Sequence, residues 1–139
     1  GSSGLTEWIG EALSGLGALP IDQTLLFVLV AGAVITTSIL VTEFASNTAS
    51  AGILLPVMFG LSQALGPERF PPELLMVACA MACTTGFAVP AGTPPNALIF
   101  ATERISIGRF VKTGLRVDIF AVIVILAVVC GHWLLLGSN

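Results

Sequence analysis

Long stretches of this chain carry no charged side chain over lengths that only a bilayer or the interior of a membrane protein accepts, among them Gln23 to Thr42, Leu74 to Thr102 and Ile119 to Asn139. Twenty residues of helix rise about 30 Å, the thickness of a hydrocarbon core. Water is absent there, so each backbone polar group needs a partner within the protein, and helices are the simplest way for runs of this kind to meet that demand. Charged residues make up 9% of the chain and its mean hydropathy is +1.01, whereas a soluble domain is about one quarter charged. An all-α membrane protein is the expected class.

Two interruptions break the apolar pattern. The first is TEFASNTASAG, Thr42 to Gly52, which sets Ser46-Asn47-Thr48 between the apolar runs Ile35–Val41 and Ile53–Phe59. The second is VPAGTPPN, Val89 to Asn96, where Pro90, Pro94 and Pro95 with Gly92 cannot sustain a continuous ladder of helical hydrogen bonds.

Taken in order, residues 1–19 read as an amphipathic helix at the membrane interface, with Trp8 at headgroup level. Residues 20–37 read as a transmembrane helix that Asp22 caps, ending near Thr36 or Thr37. Residues 38–65 then form a re-entrant hairpin of two half-depth arms with the Ser-Asn-Thr tip, and 66–72 a proline-rich loop on the outer side. A broken transmembrane helix is expected over 73–103, helical to Phe87, unwound at about 88–94 and helical again from Pro95. A basic interfacial segment over 104–116 and a last transmembrane helix over 117–136 complete the chain, with Trp133 as an interface anchor. His132 beside it is expected in solvent or among headgroups.

Four of the five basic residues, Arg104, Arg109, Lys112 and Arg116, fall within thirteen positions. That crowding marks a cytoplasmic side, which directs the last helix outward and opens the hairpin from the outer face. The formal net charge of -3 and the lack of a broad basic face exclude a nucleic-acid role. Cys79, Cys83 and Cys130 sit in apolar segments and are odd in number, so buried free thiols are expected and not a disulfide framework. With His132 and Glu43 they form no catalytic or metal-binding spacing, and no enzyme is indicated.

Polar backbone at membrane depth is tolerated where it is buried in protein or lines a wet cavity. Two such breaks close together suit a transporter, because unwound carbonyls and hydroxyls bind hard cations while half-helix N-termini face anions. The oxygens of Thr42, Ala45, Asn47 and Gly92 suggest Na+, and the helix starts after the tip and at Pro95 suggest an anionic substrate. A rival reading has the hydroxyls and kinks packing against partner helices of a non-transporting membrane subunit. Glu43, an acid within the apolar stretches, reads either as a functional carboxylate or as a structural partner of the hairpin.

TEFASNTASAGILLP followed by VPAGTPPNALIF resembles the divalent anion:sodium symporters, the carriers of dicarboxylates, citrate and sulfate, and the likeness extends to the opening SSGLTEWIG. The resemblance implies the second of two inverted repeats of an elevator-type secondary transporter that works as a homodimer in the cytoplasmic membrane, with the first repeat outside this chain. It implies that Ser46, Asn47, Thr48, Thr93 and Pro94 meet the substrate carboxylates, and that Thr42, Ala45, Asn47 and Gly92 surround a sodium ion. Where Gly92 stands the family carries Ala or Gly, which a backbone ligand permits. Residues that grip one carboxylate-like end suit succinate, malate, citrate or sulfate alike, with succinate the leading expectation, and they suit exchange as well as symport.

Overall fold

A computed structural model describes residues 22–90 and 92–137, with side chains up to Leu135. The described residues form five helices: α1 (Gln23–Phe44), α2 (Asn47–Leu65), α3 (Pro72–Cys83), α4 (Pro94–Ala101) and α5 (Ile107–Gly137). The interfacial helix expected over 1–19 lies outside the described residues.

Three helices start at a side-chain cap and two at a proline, α4 having both. The Asp22 carboxylate accepts from the amides of Thr24 and Leu25 at 3.0 and 3.2 Å, which starts α1 where expected. Ser46 Oγ accepts from Ala49 N at 3.2 Å and Thr93 Oγ1 from Asn96 N at 3.3 Å, so α2 and α4 begin at hydroxyl caps. Pro72 opens α3 and Pro94 with Pro95 opens α4, positions at which a missing N–H costs nothing. Gly66 ends α2 with φ at 99°, a left-handed conformation that favours glycine.

Three expected boundaries are corrected. α1 passes through Thr36, Thr37 and Ser38 without a break and ends at Phe44. A hydroxyl does not break a helix when a neighbour satisfies it, and buried Ser38 donates to Cys79 Sγ at 3.4 Å. The turn therefore falls at Ala45–Ser46, between arms of 22 and 19 residues, so the first arm is the whole of α1 and does not start at Ser38. Secondly, α3 stops at Cys83, four residues before Phe87, and backbone outside any helix runs from Thr84 to the Thr93 cap on either side of residue 91. Thr84 and Thr85 turn their hydroxyls onto the carbonyls of Met81 and Ala82 at 2.7 and 2.8 Å, closing the helix end. Thirdly, the basic segment and the last span are one helix, α5, because nothing between Ile107 and Gly137 interrupts the ladder.

α1 packs against both α3 and α5, and α2 packs chiefly on α3. The α1 stripe of Phe27, Ala31, Val34, Ile35, Ser38, Ile39 and Thr42 repeats every three or four residues and is buried. It meets Leu75, Ala78, Cys79, Ala82 and Cys83 of α3 and Ile125 and Val129 of α5. Contacts of Ser38 with Cys79 and of Thr42 with the Cys83 carbonyl share one sequence offset, so α1 and α3 run parallel. α5 runs antiparallel to α1. The Trp133 ring stacks on Phe27 at 4.6 Å while its Nε1 donates to the Arg69 carbonyl at 3.2 Å, and at the other end Glu43 adjoins Asp118. Trp133, expected at the lipid interface, thus also clasps the turn between α2 and α3 at the end of α5 opposite the basic residues.

The architecture brings the C-terminal ends of two parallel helices, α1 and α3, to one level. The chains that leave them turn there and begin α2 and α4. Two helix ends and two helix starts meet at that level.

Candidate functional site

A cavity of about 450 Å³ opens where these ends meet, lined by Ser46, Asn47, Thr48, Phe87, Gly92, Thr93, Pro94, Pro95 and Asn96. Six of the eight sequence-expected site residues line it: Ser46, Asn47, Thr48, Gly92, Thr93 and Pro94. The remaining two stand beneath and beside it. Thr42 is fully buried, and its Oγ1 lies 2.7 Å from Asn47 Oδ1 and 3.0 Å from the Cys83 carbonyl. Ala45, extended at φ -130° and ψ 162°, carries the chain from α1 to the Ser46 cap, and its amide donates to Val41 O at 3.2 Å.

The tip is a concentration of donors. Ser46 Oγ accepts a capping bond, and its own proton has no acceptor among the described residues; the same holds for Thr93 Oγ1. The first-turn amides of Asn47 and Thr48 have no intrahelical acceptor, since the opening N–H groups of any helix are unpaired. No carboxylate lines the cavity. Pro94 and Pro95 have no N–H to offer, so α4 brings its dipole and the shape of its first turn while α2 brings hydrogen bonds.

Oxygens collect on the other side of Asn47. The Thr42 hydroxyl has one proton and faces two acceptors. Around Gly92 the carbonyls of Glu43, Val89 and Gly86 converge, each 3.2 to 3.3 Å from the point a Cβ would occupy. A Cβ there would sit tight against the cradle, and its carbonyls would have to give by a few tenths of an ångström. The donor set is hydroxyl, amide and carbonyl oxygen without a committed charge, which fits a hard monovalent cation.

Four contributors escaped the sequence reading. Asn96 is buried, and its Nδ2 donates to the carbonyls of Gly86 and Val89 at 3.0 and 3.5 Å, holding the unwound loop in shape. Phe87 lines the cavity wall. Gly114 of α5 lets the loop approach, since a Cβ there would overlap the Phe87 carbonyl. Asp118 is buried and accepts from Phe87 N at 3.2 Å. Asn96 was visible as the residue closing the Pro-Pro-Asn run, whereas Asp118, two residues after Arg116 at the edge of the uncharged stretch, carries no sequence mark of its burial.

All 139 residues match the family described as the sodium:sulfate symporter transmembrane region. This chain belongs to the sodium:sulfate symporter family. Among its relatives, a protein named sodium-dependent dicarboxylate transporter SdcS from Staphylococcus saprophyticus is 41% identical over 129 residues, 91% of this chain and 23% of the relative. The protein of the same name from Staphylococcus aureus strain USA300 is 43% identical over 128 residues, again 91% of this chain and 23% of the relative. The chain thus spans just under a quarter of the length of these relatives. The family's description as a symporter transmembrane region agrees with three helices among the described residues that are long and apolar enough to cross a membrane by length and composition.

Proposed function

We propose that this chain forms one half of the binding site of a sodium-coupled carrier that moves a divalent anion, foremost a C4-dicarboxylate such as succinate, across the cytoplasmic membrane. The observation that carries this reading is the cavity itself: unpaired hydroxyl and amide donors of the Ser46–Thr48 tip, the Thr93 hydroxyl and the dipole of α4 converge on it, and no charged side chain lines it. Relatives named as sodium-dependent dicarboxylate transporters support the substrate class and the coupling ion.

Magnitudes favour obligatory coupling. A helix N-terminus contributes about 0.3–1 kcal/mol to a nearby anion, rising to about 2 in partly buried geometry. Stripping water from even one charged group costs several kcal/mol. Two helix starts and a few hydroxyls do not offset the dehydration of a dianion unaided. A sodium ion held by Thr42, Ala45, Asn47 and the Gly92 cradle supplies the missing positive charge a few ångströms away. Asn47 joins the two ligands, its Oδ1 toward Thr42 and its Nδ2 left as a donor. Cation binding thereby creates the anion site, and an inward sodium gradient draws the anion in.

The share of the relatives' length that the chain spans supports a larger carrier with a second, opposing repeat. In the same reading the α1–α2 pair is a re-entrant hairpin whose polar tip stops within the membrane, the whole carrier is a homodimer in the lipid bilayer, and the two repeats move the site by an elevator motion. The test is ligand stabilisation of the intact carrier. Succinate in the presence of Na+ should raise its melting temperature, and succinate with K+ should not. No response to either ligand would favour hydroxyls and kinks that serve helix packing alone.

A further inference from the structure

Three consecutive amides at the start of the unwound loop are held by two acids from different helices. Glu43 Oε1 accepts from Ala88 N at 2.8 Å and Glu43 Oε2 from Val89 N at 2.7 Å. Asp118 Oδ1 accepts from Phe87 N at 3.2 Å. Both side chains are only 4% exposed. Among the described residues neither acid has an ion-pair partner, although Arg109, Lys112 and Arg116 precede Asp118 on α5.

Both Glu43 oxygens accept amide hydrogens and Asp118 Oδ1 accepts a third, so the two carboxyl groups engage three consecutive N–H groups in a bent arrangement of backbone amides that suits an anion.

We propose that Glu43 and Asp118 are a positioning pair, a carboxyl clamp that fixes the Phe87–Val89 backbone and thereby sets where Gly92, Thr93 and Asn96 stand against the Ser46–Thr48 tip. Glu43 belongs to the last turn of α1, and three residues on the chain enters the tip. Asp118 belongs to α5, and Gly114 one turn earlier admits the loop. The clamp therefore joins the tip arm, the unwound loop and the last helix at a single point. It also explains how an acid can stand next to Thr42 without lining the anion cavity, since its oxygens are turned onto the amides. The proposal rests on the reading of the cavity as the carrier's site only for its effect on transport.

The test compares D118A, D118N and E43Q in the intact carrier. An asparagine at 118 can still accept from Phe87 N with its side-chain oxygen, whereas an alanine cannot. A glutamine at 43 must turn its NH₂ onto an amide N–H. Loss of a hydrogen bond to a charged group sets the scale, so D118A and E43Q should raise the half-saturating anion concentration roughly tenfold. D118N should stay within about twofold of the parent, because it keeps an acceptor for Phe87 N. Hydrogen exchange at the Phe87–Val89 amides should quicken in D118A and E43Q and not in D118N. D118N as impaired as D118A, or E43Q transporting and exchanging like the parent, would overturn the clamp. If E43Q fails to insert, the D118A and D118N contrast decides alone. A parent carrier without sodium-dependent uptake would sink the transport reading, while the exchange contrast would still decide the clamp.

Discussion

Thr42 Oγ1 and Asn47 Oδ1 stand 2.7 Å apart, which ties the last turn of one arm to the first turn of the next across the tip. The same hydroxyl faces the Cys83 carbonyl at 3.0 Å, so one oxygen joins the ends of α1 and α3 to the start of α2. An Asn47 amide turned end over end would donate to Thr42 and meet the same distances without an ion. Thr42→Val separates the two arrangements. If the oxygens hold sodium, the half-saturating Na+ concentration should rise roughly tenfold, the scale of one lost hydrogen bond or ligand, and Thr42→Ser should restore it. An unchanged sodium dependence in Thr42→Val would remove this hydroxyl from the cation's surroundings.

Ser46 has two duties, capping α2 and offering a proton to the cavity, and one substitution separates them. Aspartate caps a helix about as well as serine, so Ser46→Asp should leave the melting temperature of the ligand-free carrier nearly unchanged. Its negative charge would repel the substrate, and uptake should fall to background. Ser46→Ala should lose about 1 kcal/mol of local helix stability as well. Uptake retained in Ser46→Asp would show that the tip faces something other than an anion.

Gly114 is the point at which α5 admits the unwound loop, and a Cβ there would overlap the Phe87 carbonyl. Gly114→Ala should cost about 1–3 kcal/mol through overpacking and displace the loop, lowering uptake with a raised anion half-saturation. Gly92→Ala is the milder case, because its nearest carbonyls stand 3.2 Å from the added carbon and need move only slightly. Equal effects of the two substitutions in a transport assay would contradict this ordering.

At the opposite end of the helices, Trp133 stacks between structure and solvent: its ring lies 4.6 Å from that of Phe27, which in turn lies 5.9 Å from Phe70. An aromatic pair adds about 0.5–1.5 kcal/mol beyond its area burial. Trp133→Ala should lower thermal stability by at least that much without shifting the anion half-saturation, whereas Trp133→Phe should keep the stack and lose only the bond to Arg69. A changed substrate affinity in Trp133→Ala would mean that the two ends communicate.

Much of the site was legible in the sequence because its chemistry needs unusual residues in unusual places. A Ser-Asn-Thr triplet and a Pro-Pro-Asn break inside apolar runs are costly unless they bind or pack, and the cavity is lined by both. Helix starts were legible for a similar reason, since Asp22 and the prolines carry their capping chemistry locally. The ends were not. Whether α1 stops at Thr37 or runs to Phe44 depends on Cys79, forty-one residues away, satisfying Ser38. Whether α3 reaches Phe87 depends on Glu43 and Asp118 claiming the amides that a longer helix would have used. Tertiary partners decide those ends, and a charge at the edge of an apolar run, as at Asp118, carries no mark of which side it will face.

The most direct test of the central claim is uptake of labelled succinate by proteoliposomes holding the intact carrier, under an inward Na+ gradient and under an equal K+ gradient. The account predicts accumulation above equilibrium with Na+, none with K+, and none with Asn47→Ala under either gradient despite normal insertion. Accumulation indifferent to the cation, or undiminished in Asn47→Ala, would contradict it.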